Sequence, residues 1–205
     1  MINLDVPPAF LTPADIREHA QFDQLGVING QDDAAITDYL AAAVTVIEGA
    51  ISRAIMRRRV QFTVDAPFAR WPFPVGPVVS LDAVRVTAPD GTVTTLEAAD
   101  LMLVRPIDAP MLIPAADFTW PDKHHLIPIE IDATCGIGDN DQTIDDFDPR
   151  IRQAVRYLAT HFSVNRETVT EVDQAVRMMP YSMAALLQQA RLVPGPPVIW
   201  CKGRG

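Results

Sequence analysis

The stretch Asp32-Asp33-Ala34-Ala35-Ile36-Thr37-Asp38-Tyr39-Leu40-Ala41-Ala42-Ala43-Val44-Thr45-Val46-Ile47-Glu48-Gly49-Ala50-Ile51-Ser52-Arg53-Ala54-Ile55-Met56-Arg57-Arg58-Arg59 sets how the rest of the chain is read. Counted from Ile36, the residues Tyr39, Leu40, Ala43, Val44, Ile47, Ile51, Ala54 and Ile55 fall at offsets 3, 4, 7, 8, 11, 15, 18 and 19. These offsets keep returning to one face of a 3.6-residue turn, so they predict one long amphipathic helix over about 33–58. Arg53, Arg57, Arg58 and Arg59 lie at its far end, where the carbonyl pole of a helix favours positive charge.

Working toward the N-terminus, Thr12 can cap, Pro13 suits a first helical position and Asp15 suits the positive pole, which predicts a helix over about 13–25. In the other direction the period falls to two in Val60-Gln61-Phe62-Thr63-Val64-Asp65, the mark of a strand. A proline-rich connector, Trp71-Pro72-Phe73-Pro74-Val75-Gly76-Pro77, follows. The β-branched runs 78–87 and 92–96 flank Ala88-Pro89-Asp90-Gly91, which reads as a hairpin. Residues 127–134 alternate again, with Pro128 marking either an edge strand or a strand start. Asp148-Pro149 opens a helix over about 149–165 through Ile151, Ala154, Val155, Leu158 and Phe162. Met179-Pro180 opens another over about 180–192, which the prolines of Val193-Pro194-Gly195-Pro196-Pro197 end. The expected fold is α+β and mainly α: long helices around a small, mostly antiparallel β region at about 60–135, forming one domain over 1–193 with an extended tail over 194–205.

With 205 residues, 48% of them apolar and 21% charged, the chain is long and apolar enough to bury a core. Seventeen Lys and Arg against 26 Asp and Glu give a formal charge of −9, the wrong sign for a protein whose main task is coating nucleic acid. Two cysteines, Cys135 and Cys201, form no C-x-x-C motif and no disulfide framework, so reduced cytoplasmic thiols are expected. The first residues lack the basic and apolar regions of a leader, and no membrane span is read from the pattern.

Candidate chemistry thins out when its geometry is checked. Asp139, Asp141, Thr143 and Asp145 space oxygen donors like a calcium loop, but Ile144 stands where the turn needs glycine and Arg150 where a bidentate glutamate belongs. His124 and His125, adjacent on an extended segment, are expected to point to opposite faces. Gly136-Ile137-Gly138 leads into acids rather than a helix, and none of Ser52, Ser80, Ser163 or Ser182 has a nucleophile-elbow context. No catalytic set, metal or cofactor is predicted. The residues 1–52 carry eight acids and the single Arg17, so Arg53 to Arg59 read as dipole complements, ion-pair partners of that acidic stretch or one side of an inter-subunit salt bridge. Arg53, Arg57, Arg58 and Arg59 on one copy facing Asp32, Asp33 and Asp38 on the next is the interface expected. In the tail, Trp200 follows a proline run that keeps it out of regular structure, leaving a disordered end or a docking peptide. As a docking peptide, Val198, Ile199 and Trp200 anchor it and Lys202 and Arg204 add rim charge.

The order of elements resembles the head-tail connector (adaptor) proteins of tailed phages, which bind beneath the portal. Four segments carry the resemblance across roughly 32–193. They are Ile36 to Ala43 with Ile47-Glu48; Trp71 to Ser80 with the Asp90-Gly91 hairpin; Ile129-Glu130-Ile131-Asp132-Ala133-Thr134-Cys135-Gly136; and Ile151 to Phe162 with Asn165-Arg166-Glu167. Cys135 departs from the usual turn pattern, and the acidic loop from Asp139 to Asp148 is longer than typical. The same architecture suits the adaptor of a gene transfer agent, a domesticated phage-like particle.

The resemblance implies a non-enzymatic protein of the virion neck, assembled in the bacterial cytoplasm. Its implied partners are the portal protein, a tail-side connector or stopper, and further copies of itself in a ring, usually a dodecamer, through which double-stranded DNA passes. The tail after Pro194 is then the portal-docking segment. Two other readings stay open: a tail-completion protein or peptide-binding module, and a small metal-dependent hydrolase using His124, His125 and the acids of 139–148.

Overall fold

The computed structural model describes residues 1–5, 9–19, 32–97, 99–104, 109–138, 148–164, 187–189, 191 and 199–200. These residues divide into a β unit (Met1–Pro7, Arg57–Ile137, Leu192–Gly205) and a helical unit (Pro8–Met56, Gly138–Arg191).

In the helical unit, α1 (Pro13–His19) begins at a reciprocal cap. The Asp15 carboxylate accepts the Thr12 N–H at 2.8 Å, and the Thr12 hydroxyl accepts the Asp15 N–H at 3.3 Å. Of the helix predicted over 13–25, the positions past 19 lie outside the described residues. α2 (Asp33–Ile51) starts at Asp32, whose carboxylate accepts the Ala35 N–H at 2.7 Å, and it buries Ile36, Leu40, Ala43, Val46, Ile47 and Ile51. α3 (Pro149–Val164) buries Ile151, Ala154, Val155, Leu158, Ala159 and Phe162 as its spacing predicts, and packs against both α1 and α2. Of the helix predicted over 180–192, residues 187–189 are described as helical, with Leu187 buried.

The long helix predicted to reach residue 58 ends at Ile51. Ser52 turns left-handed (φ 54°), and the Arg53 N–H reaches back to the Glu48 carbonyl at 3.3 Å. The Glu48 carboxylate then accepts the Ile55 N–H at 2.7 Å, and the Ile55 carbonyl accepts the Gly138 N–H at 2.9 Å. Ala54 and Ile55 are fully buried, which is why they matched the apolar pattern, but a capped and bridged extended segment buries them instead of a helix. No basic residue lies in the last turn of α2, and Arg58 and Arg59 stand on a strand, so these arginines do not complement a helix dipole.

The β unit holds β1 (Ile2–Asn3), β2 (Arg58–Val64), β3 (Phe68–Pro72), β4 (Val78–Thr87), β5 (Val93–Thr95), β6 (Leu101–Val104), β7 (Met111–Pro114), β8 (Ile129–Cys135) and β9 (Ile199–Trp200). They form a five-stranded sheet, β1-β2-β8-β4-β5, and a four-stranded sheet, β6-β7-β3-β9, antiparallel at every pairing. Alternation along β2 and β8 sends Val60, Phe62, Val64, Ile129, Ile131 and Ala133 to a buried face. Pro128 precedes β8, and β8 lies between β2 and β4, so the proline marks a strand start and not an edge. The predicted hairpin forms between β4 and β5. The Asp90 carboxylate accepts the Thr92 N–H at 2.9 Å, and Gly91 supplies the φ of 88° that a side-chain-bearing residue resists.

The two sheets meet through aromatic rings. Phe62 of β2 lies edge-on to Trp71 at 5.7 Å and to Phe73 at 5.5 Å, and Phe68 meets Trp120 at 4.9 Å. The indole N–H of the half-buried Trp120 donates to the Phe68 carbonyl at 3.1 Å, so its donor is met. The expectation of a mainly α fold with a small β insertion is overturned: strand in two antiparallel sheets exceeds helix among the described residues. The proline-rich stretch read as a connector supplies part of β3 and the aromatic residues that join the sheets, because proline is tolerated at a strand end and the flanking rings bury area.

Candidate interaction surfaces

The outward face of the five-stranded sheet is polar and cross-linked. Arg85 on β4 donates to Glu130 at 3.1 Å and to Asp132 at 2.7 Å, both on β8, and Gln61 on β2 donates to Asp132 at 3.2 Å. Strand register places these groups together, since Gln61 faces Asp132 and Arg85 faces Glu130. On the same strands, Asp82 accepts from the hydroxyls of Ser80 and Thr134, each at 2.8 Å. Hydrogen bonding to Asp132 is the main cause that raises the Arg85 pKa, so this guanidinium keeps its charge. The sequence shows each strand's polar positions but not that Arg85, Glu130 and Asp132 converge from two strands 45 positions apart.

Four of the residues expected at an inter-subunit interface, Asp32, Asp33, Arg58 and Arg59, have partners within their own units. Asp32 caps α2, and Asp33 pairs with Arg17 at 2.6 Å. Arg58 is buried and donates to the Asn3 side chain at 3.1 Å, while Arg59 holds Asp5 through Nε and Nη2 at 3.0 and 2.9 Å. That pairing lowers the Asp5 pKa and raises that of Arg59. Asp38 is exposed, and Arg53 and Arg57 are half-buried and take part in further interactions.

In the tail, Val198, Lys202 and Arg204 lie outside the described residues. Ile199 and Trp200 form β9, whose backbone pairs with β3 opposite Arg70 and Phe68. The expectation that Trp200 stays out of regular structure is corrected: the proline run ends before Val198, and the two residues after it are free to add a strand to a sheet edge.

His124 and His125 stack, with ring centroids 4.8 Å apart and an interplanar angle of 20°, instead of pointing apart. Their segment bends at 125–127 and is not a strand, so alternation does not apply. Stacked rings do not aim two nitrogens at one ion, and the His124 Nδ1 already accepts the Leu126 N–H at 3.2 Å. Among the described residues no group of three or more His, Cys, Asp or Glu is placed to hold a metal. Of the acidic stretch, 139–147 lie outside the described residues; Asp148 binds Arg150, which lowers its pKa. Cys135 is buried, and desolvation pushes its thiol up to about 12, away from nucleophilic use.

Among the described residues α2 is long and apolar enough, by length and mean hydropathy, to cross a membrane, which the sequence reading passed over. Its buried face packs on α3 within the helical unit, as the core helix of a water-exposed protein also does.

Among the described residues the large exposed apolar side chains are Met1, Ile2 and Leu4 at the β1 edge, Val93 on β5, Met102 on β6, and Leu126.

The sequence matches no protein-family model and no curated protein. It is similar, over 94% of its length and 95% of theirs, at 26% identity and a TM-score of 0.74, to a chain in the neck of an empty GTA particle computed with C6 symmetry and to one in the virion of a native gene transfer agent (GTA) particle. Over 94% of both chains, at 25% identity and a TM-score of 0.71, it is also similar to a chain in the neck of a native GTA particle computed with C12 symmetry.

Proposed function

We propose that this chain is a structural neck component, the head-tail adaptor of a gene transfer agent or phage-like particle, and not an enzyme. The observation that carries the reading is the match of nearly the whole chain, both units included, to chains of GTA neck and virion structures. In this reading copies close into a ring between portal and tail, and the likeness to chains in necks computed with C6 and with C12 symmetry supports a symmetric ring. The C-terminal segment, with Val198, Ile199, Trp200, Lys202 and Arg204, docks on the portal. The β3 edge that β9 occupies supports this, because a two-residue strand is a small hold that a better groove on a partner can replace. Repetition around the ring makes such a weak contact strong. With −9 per subunit, acids facing the channel repel DNA phosphates and let the duplex slide.

Deleting the gene in a particle-producing strain tests the adaptor role. The account expects DNA-filled heads without tails, restored by the full chain and not by a chain ending at Val193. Tailed, transducing particles from the deletion strain contradict it.

A further inference from the structure

The last strand of the chain is built to come away. β9 lies at the outer edge of the four-stranded sheet and pairs with β3 at two positions, Ile199 opposite Arg70 and Trp200 opposite Phe68. The register shifts between Phe68 and Arg70, and the Phe68 carbonyl already accepts the Trp120 indole N–H at 3.1 Å, so the ladder is short and irregular. Pro194, Pro196 and Pro197 just before it have no N–H with which to extend the pairing.

The sheet also survives without it. β7 meets β3 at Trp71 and Pro72, beyond the stretch that β9 covers, so β6, β7 and β3 stay joined when β9 leaves. Phe68, which is fully buried, keeps the rings of Trp120 at 4.9 Å and Trp71 at 6.2 Å. What its departure uncovers is the backbone edge of 68–70, which among the described residues pairs with β9 alone.

Ile199 and Trp200 are also the anchors assigned above to the portal. A groove that takes both by backbone and side chain needs them off β3. We infer that β9 is a latch: in the free subunit the β3 edge holds the C-terminal segment, and the portal receives that segment only after β9 has left, so the edge is covered before docking and open after it. This inference rests on the tail-docking reading and adds that two sites compete for one strand. A hold of two residues that leaves about one subunit in ten open lowers the apparent affinity for the portal about tenfold.

Hydrogen-exchange mass spectrometry on the full chain, free and bound to the portal of the same particle, beside a chain ending at Val193, tests it. The amides of 68–70 are expected to exchange about tenfold faster or more in the complex and in the truncated chain than in the free full chain, with β8 unchanged. A complex in which 68–70 stay as protected as in the free chain overturns the latch, as does a truncated chain protected there like the full one. Arg70→Cys with Ile199→Cys in a Cys201→Ser background staples these register partners on oxidation. The oxidised form is expected to bind the portal at least about tenfold more weakly than the same protein after reduction, and equal binding by the two forms overturns the latch. A full chain that forms no complex with the portal overturns the docking reading and the latch with it, whereas a complex with a covered β3 edge overturns the latch alone.

Discussion

Replacing Phe62 by alanine empties the point where the two sheets of the β unit join. The side chain is 2% exposed and lies edge-on to two rings, Trp71 at 5.7 Å and Phe73 at 5.5 Å. Truncating a buried phenylalanine costs about 3–5 kcal/mol through lost transfer energy and the cavity left behind. Phe62 is placed inside that range, at about 4 kcal/mol, because its neighbours are rings on β3 and just after it and cannot easily collapse inward. Phe62→Leu keeps most of the apolar area and loses mainly the two ring contacts, each worth about 0.5–1.5 kcal/mol, so about 1–3 kcal/mol is expected. Tryptophan fluorescence in urea is the natural assay, since Trp71, Trp120 and Trp200 all belong to the β unit. With a slope of about 2 kcal/mol per molar, the alanine variant moves the fluorescence midpoint down by about 2 M and the leucine variant by about 1 M. An alanine variant that costs under about 1 kcal/mol, or the same loss for both variants, refutes the idea that this ring holds the sheets together.

Arg85→Met leaves Asp132, only 9% exposed, without its cation, and partial solvent access to Glu130 limits the loss to about 1–3 kcal/mol; an unchanged urea midpoint refutes the network. Asp148→Ala removes the carboxylate that accepts the Arg150 N–H at the start of α3, with an expected cost of about 1 kcal/mol by thermal melting. The Arg150 hydrogen bond holds the folded Asp148 pKa below its unfolded value, so this contribution is present above the unfolded pKa and fades as pH falls through the folded one. The stability gap between wild type and Asp148→Ala should therefore close in acid, and a gap that widens there refutes the assignment. In a Cys201→Ser background, Cys135 should resist a thiol reagent at pH 8 until denaturant is added, and rapid labelling of the native protein contradicts its burial.

Local signals in the sequence located the helix starts and the hairpin well. Thr12-Pro13, Asp32-Asp33 and Asp148-Pro149 mark the starts of α1, α2 and α3, and Asp90-Gly91 marks the hairpin, because caps and turns use hydrogen bonds within a few residues. The end of α2 was not legible, since Ala54 and Ile55 keep helical spacing while a long-range bond from Gly138 fixes them outside the helix. The second sheet was missed for a similar reason. β6 and β7 are four residues each, and β3 is crowded by prolines, so their pairing comes from distant partners and not from a local period. The candidate surfaces were least legible of all. The Arg59–Asp5 and Arg58–Asn3 contacts join positions more than 50 apart, and the exposed flanks β1 and β5 become neighbours of one sheet only through β2, β8 and β4.

The measurement that bears most directly on the neck role is the native mass of the purified full chain mixed with the portal protein of the same particle, beside a chain ending at Val193. The account predicts a portal-bound ring of the full chain with one fixed stoichiometry, and loss of that complex on truncation. Folded full-length protein that never binds the portal would contradict it.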